Sequence, residues 1–297
     1  MAGVTTWATL ADALSAATGR RVAARPERPV GGGSINECWC WPSREGPLFV
    51  KLARADRLWM FEAEAAGLDE LGRANALKVP RVLGSGAVAG QAFLALEWIA
   101  FGSVSSRSES LLGAGLAAQH YVTATEFGWH RGNTIGSTPQ HNDRDRDWIR
   151  FYTERRLRYQ FDLAARNGHA GRLTERGALL CERTSAFFDS YRPVPSLLHG
   201  DLWGGNWSAD ASGRPVIFDP AVYFGDREAD LAMTRLFGGF GAAFYSAYEG
   251  AWPLEAGAED RRSLYNLYHV LNHLNLFGGG YLSQAQAMID RLLAASS

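Results

Sequence analysis

The stretch that most restricts this chain runs from Leu197 to Glu228, LLHGDLWGGNWSADASGRPVIFDPAVYFGDRE. It opens with His199-Gly200-Asp201-Leu202-Trp203-Gly204-Gly205-Asn206, passes through a turn, and ends an apolar run, Val216-Ile217-Phe218, on Asp219-Pro220. Asp201 and Asn206 share one glycine-rich loop, and Asp219 follows far enough downstream for a hairpin. A carboxylate that takes the proton of an attacking hydroxyl, with hard oxygens beside it for Mg²⁺, is the equipment of phosphoryl transfer. An isolated Asp and Asn would serve equally well as turn caps. The full string, followed by an apolar strand that ends in Asp, is much more specific.

A group that grips phosphate should lie upstream. Arg greatly outnumbers Lys in this chain, whose lysines are Lys51 and Lys78. Lys51 interrupts the apolar run Leu48-Phe49-Val50-Lys51-Leu52. A compact ammonium suits a phosphate held beside a carboxylate from the next helix, where Glu62 and Glu64 are the candidates. The alternative is a strand lysine that snorkels to solvent. Gly31-Gly32-Gly33-Ser34 can drape backbone N–H groups over phosphates, as many glycine-rich turns can. Glu97-Trp98-Ile99 offers backbone groups to an adenine ring, or is an ordinary linker.

Periodicity organises the rest. Val4, Trp7, Leu10, Leu14 and Ala17 space as a helix that Gly19 can end. Residues 38–41 and 48–53 read as strands, 56–71 as a helix, and 79–88 with 91–99 as a strand pair around Ala89-Gly90. Composition shifts near Phe101-Gly102-Ser103, and helical patterns follow at 109–124, 145–166, 177–191, 226–236, 241–248, 260–277 and 283–295. The expected class is α+β. Residues 1–100 read as mostly sheet with one internal helix and residues 101–297 as mainly helix, the spans that the kinase resemblance described below makes a nucleotide-binding lobe, with a hinge near 97–102, and a catalytic and substrate-binding lobe. A second irregular stretch, FGWHRGNTIGSTPQHND at 127–143, is too polar and aromatic for a plain connector.

Several classes are disfavoured. A formal net charge of −1 gives no basic excess for nucleic acid or an anionic membrane. No apolar run is long enough to span a bilayer, and the first residues lack a signal-peptide pattern. Cys38, Cys40 and Cys181 make no disulfide framework, which fits a reducing, cytoplasmic setting. Cys38 and Cys40 share one strand face, as buried small side chains or as a surface thiol pair. His130, His141, His269 and His273 are too scattered for a metal cluster. Trp203, in the catalytic loop, can rest its ring on a sugar face or wedge against the helices. His199 orients that loop by hydrogen bonds.

The order of glycine-rich turn, strand Lys, helix Glu, hinge, H-G-D-x-x-x-x-N and strand Asp resembles the protein-kinase-like fold of aminoglycoside and choline kinases. In finer detail FVK with MFEAE, FGWHRGNTIGSTPQ, LLHGDLWGGN, IFDPAVYFGDREADLAM, LFGGF and LYHVLNHLNLFG resemble the fructosamine kinases (ketosamine 3-kinases), from about residue 30 to 282. The resemblance implies a small sheet-rich N-lobe with one main helix and a larger, mainly helical C-lobe. It also implies that Asp201 is the base, that Asn206 and Asp219 hold Mg²⁺, and that Lys51 binds ATP phosphates with Glu64 positioning it. Gly32, Gly33 and Ser34 would cover the phosphates, with Ser34 where many relatives carry Cys. Glu97, Trp98 and Ile99 would meet adenine, and Asp230 would brace the catalytic loop. Trp203 and His199 would border the substrate. The implied reaction is ATP-dependent phosphorylation of the 3-hydroxyl of a ketoamine, free or on a protein lysine, in deglycation. A kinase for an aminoglycoside or choline is the main rival, and a non-catalytic nucleotide-binding module a weaker one. The aminoglycoside reading calls for an acidic substrate face that the charge balance does not suggest.

Overall fold

Alternation along one strand sets the architecture of the first sheet. In β3, as numbered here, Leu48–Arg54, the side chains of Leu48, Val50 and Leu52 turn to one face, and Phe49, Lys51 and Ala53 to the other. The computed structural model describes residues 6–31 and 36–296. The five-stranded sheet has the order β1-β2-β3-β5-β4, with β1 Arg28–Pro29, β2 Glu37–Trp41, β4 Val82–Val88 and β5 Gln91–Glu97. Each neighbouring pair is antiparallel. The turn between β4 and β5 uses positive φ at Ala89 (47°) and Gly90 (87°), the twist-matched geometry of a two-residue hairpin.

Each face of the sheet has its own helix. Trp41, Leu48, Val50, Leu52, Phe93 and Ala95 pack with Leu10, Ala11 and Leu14 of α1, Trp7–Thr18. Ala92, Leu94 and Leu96 pack with Phe61 and Leu68 of α2, Leu58–Ala74. Burying each such Leu, Val or Phe stabilises the fold by about 1.5–3 kcal/mol. Thr6 caps the start of α1 by accepting from Thr9 N–H, and Gly19 closes it at φ 67°.

The chain forms two compact units: residues up to 108 with 205–220, and 109–204 with 221–297. Chain order suggests one division near residue 100. Hydrogen bonds draw the later segment into the first unit instead. Its ribbon, Trp207–Ala209 paired with Pro215–Ile217, receives Gly102 N–H on Ala209 O at 2.9 Å. Ile217 N–H donates to Lys78 O at 3.0 Å, and the Lys78 ammonium reaches Asp210 at 3.0 Å.

The second unit is mainly helical. Its helices are α3 Ser106–His120 (which starts in the first unit), α4 Trp148–Tyr152, α5 Tyr159–Arg166, α6 Arg172–Arg183, α7 Arg227–Leu236, α8 Ala242–Ala251, α9 Ala258–Phe277 and α10 Leu282–Ala295. Helix α3 ends before the expected residue 124 because the chain becomes extended: Thr123 bridges Ser196, and Leu197 N–H donates to Val122 O. The stretch expected as one helix over 145–166 is broken by a π turn, Thr153–Arg158. The added residue in a π turn rotates side chains off the α-helical register. There Arg156 is buried, its guanidinium 4.2 Å from the Tyr223 ring centroid and 4.8 Å from that of Phe151. It donates to His141 O at 2.6 Å and Asn142 Oδ1 at 2.7 Å. Helix α7 is buried from Arg227 to Thr234 and is tied to α9 by a two-pronged ion pair between Glu228 and Arg261. Among the described residues, no helix is long and apolar enough to cross a membrane.

Candidate active site

Lys51 is buried on the α2 side of the sheet, opposite Cys38 of β2 and Leu94 of β5. A buried ammonium needs compensation. It finds Glu64 Oε1 at 2.7 Å and Asp219 Oδ1 at 2.6 Å. Glu64, not Glu62, is thus the α2 carboxylate that meets Lys51. Burial works against the lysine charge, but the two carboxylates outweigh it and hold Lys51 above its ordinary range. Burial pushes Glu64 up, Lys51 pulls it back, and Asp219 pushes it further up, so its charge depends on Lys51. The Cys38 thiol is driven up to about 11, chiefly by burial, against the pull of Lys51. Cys38 and Cys40 are both buried, which excludes the surface thiol pair. Cys38 stays a protonated thiol near neutral pH.

Asp219 has φ 57°, a left-handed backbone that costs a non-glycine residue about 1–2 kcal/mol. The surrounding backbone holds it there. Phe218 N–H donates to Asn206 O at 3.0 Å, and Asn206 Nδ2 donates to Asp219 O at 3.4 Å. The Asp219 side chain remains 42% exposed. A part-exposed carboxylate beside a carboxamide, with no thiolate or imidazole in the set, is the hard-oxygen donor set that Mg²⁺ accepts. No group of three or more His, Cys, Asp or Glu able to hold a metal occurs among the described residues.

The segment expected to meet adenine is anchored in the same unit. Glu97 ends β5 and accepts from Arg81 Nε at 3.0 Å. The Trp98 ring lies 6.5 Å from Phe49, with the Arg28 guanidinium 5.4 Å from its centroid. Ile99 is half-buried, and Phe101 just beyond stacks on Phe218 at 5.4 Å. Gly32, Gly33 and Ser34 lie outside the described residues.

In the second unit the strand Ser196–Leu198, paired with Tyr223–Gly225, delivers His199-Gly200-Asp201. Gly200 has φ 82°, and a Cβ there would lie 2.1 Å from Ala221 O, so no other residue fits without displacing backbone. Ala221 N–H donates to His199 O at 2.8 Å. Buried Asp230 of α7 accepts His199 N–H on Oδ2 at 2.7 Å and Gly200 N–H on Oδ1 at 2.8 Å. Burial pushes the Asp230 carboxyl up, yet the His120 hydrogen bond and its other partners hold it below the usual range. His199 accepts Asp201 N–H on Nδ1 at 3.3 Å. The His199 side chain is fully buried.

Trp203 is 39% exposed and meets Phe237 edge-to-face at 6.5 Å. Phe237 lies 4.8 Å from His273, which touches Phe277 at 5.4 Å and Tyr281 at 5.3 Å. A Cβ on Gly239 would lie 2.7 Å from Gly204 Cα, which explains that glycine, while Gly238 before it takes φ 73°. Burial, then His273, drives His269 down to about 3, and burial lowers His273 also.

Residues 6–295 match the family described as fructosamine kinase. The chain belongs to the fructosamine kinase family. A Synechocystis protein named as a probable ketoamine kinase is 45% identical over 288 residues, 97% of each chain. A chloroplastic protein-ribulosamine 3-kinase of Arabidopsis thaliana is 43% identical over 267 residues, 89% of this chain and 81% of that one. The solved structure of a Haemophilus somnus protein described as a fructosamine-3-kinase superposes with a TM-score of 0.87 at 28% identity, covering 97% of this chain and 98% of that one. Aminoglycoside phosphotransferases of far lower identity share the fold alone, so the architecture is protein-kinase-like. As a fructosamine kinase family member, the chain is an ATP-dependent small-molecule kinase.

His120 is not legible as a functional residue in the sequence of this family member. It belongs to no motif, and only its place on an apolar helix distinguishes it from a surface histidine. Phe237 was legible within LFGGF as a motif, but not as a neighbour of Trp203.

Proposed function

We propose that this kinase transfers the γ-phosphoryl group of Mg·ATP to the 3-hydroxyl of a ketoamine, free or carried on a protein lysine, in a cytoplasmic deglycation reaction. The observation that carries this reading is the Lys51 ammonium between Glu64 and Asp219, with Asn206 bonded to the Asp219 backbone. Lys51 would hold phosphate oxygens while Glu64 fixes its direction. Asn206 and Asp219 would hold Mg²⁺, which neutralises phosphate charge when bound. Glu97, Trp98 and Ile99 would take the adenine, and Gly32, Gly33 and Ser34 would cover the phosphates. Asp201 would take the proton of the attacking hydroxyl as its oxygen bonds to phosphorus, with ADP as the leaving group. The resulting phosphate ester makes the adduct labile, so the amine can be recovered.

The ketoamine class is supported by the names of the ketoamine and ribulosamine kinases and by the acceptor surface. Trp203, Phe237, His273, Phe277 and Tyr281 form a cluster of rings, not of carboxylates. Rings suit a sugar face and an uncharged stem, whereas a polycationic aminoglycoside calls for carboxylates. The test measures Mg·ATP-dependent ADP release over ketoamines of different sugar length, with aminoglycosides and choline alongside. Turnover confined to ketoamines is expected. An aminoglycoside or choline used with comparable kcat/KM would overturn the assignment.

Trp203→Ala should raise KM for the ketoamine about 5- to 150-fold while KM for ATP stays near wild type, since losing an apolar ring contact costs about 1–3 kcal/mol. Steady-state kinetics in both substrates separate this from a loop defect. A fall in kcat with both KM values unchanged would make Trp203 a packing residue.

A further inference from the structure

The structure assigns a positioning role to His120: it is the link through which a buried hydrogen-bond relay from Arg227 and Tyr248 sets Asp230 and, through it, the loop that carries Asp201. This rests on Asp201 as the base. The four relay side chains, Arg227, Tyr248, His120 and Asp230, are all buried. Arg227 donates to Tyr248 OH at 3.2 Å, Tyr248 OH lies 2.8 Å from His120 Nδ1, and His120 Nε2 lies 3.2 Å from Asp230 Oδ2.

The direction of the relay follows from what each group can do. A guanidinium only donates, so the Tyr248 oxygen accepts from Arg227. Tyr248 then gives its one proton to His120 Nδ1. That places the histidine proton on Nε2, facing Asp230, which accepts on both oxygens when ionised. Arg227 is fixed at the far end by Trp252 O at 3.1 Å and Pro253 O at 2.7 Å, and its guanidinium lies 4.2 Å from the Trp252 ring centroid. Each proton that links Arg227, Tyr248, His120 and Asp230 thus has one acceptor, and the row ends on the carboxylate that receives His199 and Gly200 N–H. This gives Arg227, within the GDREADLAM stretch, and the end of α3 a part in the reaction without either touching substrate.

His120→Leu removes the donor to Asp230 and should lower kcat about 10²-fold with KM for ATP unchanged, since small displacements of a reacting group are that costly. His120→Gln places an amide N–H near the position of Nε2 and should restore most of the loss. His120→Asn, whose amide falls nearer Nδ1, should not. Tyr248→Phe keeps the ring but removes the proton that fixes the histidine tautomer. It should lower kcat about tenfold, and it keeps the test open if His120→Leu does not fold. Deuterium exchange of a peptide spanning residues 197–201 reads the loop directly. Faster exchange there in Tyr248→Phe or His120→Leu, with α9 peptides unchanged, is expected even if no ketoamine is turned over. A kcat within twofold of wild type in both, or unchanged exchange at residues 197–201, would overturn the assignment.

Discussion

Asp201→Asn will lose about 10²–10⁴-fold in kcat on the best ketoamine while binding Mg·ATP with near wild-type affinity. Asparagine has almost the same shape, so the backbone that presents residue 201 should persist. Asp230 still accepts His199 and Gly200 N–H, and the residue 201 N–H still has His199 Nδ1 as its acceptor. Only the basic oxygen is removed. The groups proposed to hold nucleotide, Lys51, Glu64, Asn206 and Asp219, belong to the other compact unit, which supports an effect on chemistry and not on ATP affinity. Calorimetry with Mg·ATP alongside steady-state turnover distinguishes the two. A variant with near-normal kcat would remove Asp201 from the base role.

Lys51→Met should fail twice over, in stability and in nucleotide binding. Methionine fills similar volume, but Glu64 and Asp219 lose the ammonium that now lies 2.7 and 2.6 Å from them. Breaking a buried pair by removing one partner costs about 3–5 kcal/mol, and the 42% exposure of the Asp219 side chain moves the expectation toward the lower value. The melting temperature should therefore fall by about 5 °C or more. The Kd for Mg·ATP should rise about 10- to 150-fold, the worth of one hydrogen bond to a charged group. Lys51→Arg keeps the charge but brings a wide planar fork where one ammonium bridges two oxygens, so it should also be strongly impaired. Thermal melts and calorimetry check these effects. Unchanged melting and affinity in Lys51→Met would make Lys51 an ordinary strand lysine.

Lys51, Glu64 and Asp219 are each marked locally in the sequence, as a charge in an apolar strand, one of two carboxylates on the next helix, and an Asp at a strand end, but the contact of Asp219 with Lys51 is not. Less legible is what depends on contacts distant in sequence. Lys78 stands out as the second lysine, but its partner Asp210 is 132 positions away, and that pairing helps draw residues 205–220 into the first unit. Arg156 lies in Thr-Glu-Arg-Arg-Leu-Arg, which reads as a solvated helix face. A π turn and three aromatic rings, Phe151, Tyr223 and Tyr268, make it a core residue instead. In the stretch at 127–143, buried Asn133 and Gln140 hold the Val222 and Ala221 carbonyls, a scaffold function that no local pattern announces. The left-handed backbone of Asp219 is equally hidden, since most Asp-Pro pairs do not require it.

The most direct test is the identity of the product. Wild-type protein is incubated with Mg·ATP and a ketoamine, and the phosphorylated adduct is examined by phosphorus–proton correlation. The account predicts one phosphate ester on the oxygen of sugar carbon 3, formed in step with ADP and followed by release of the free amine. Phosphate on another hydroxyl, or ADP formed with only inorganic phosphate, would contradict it.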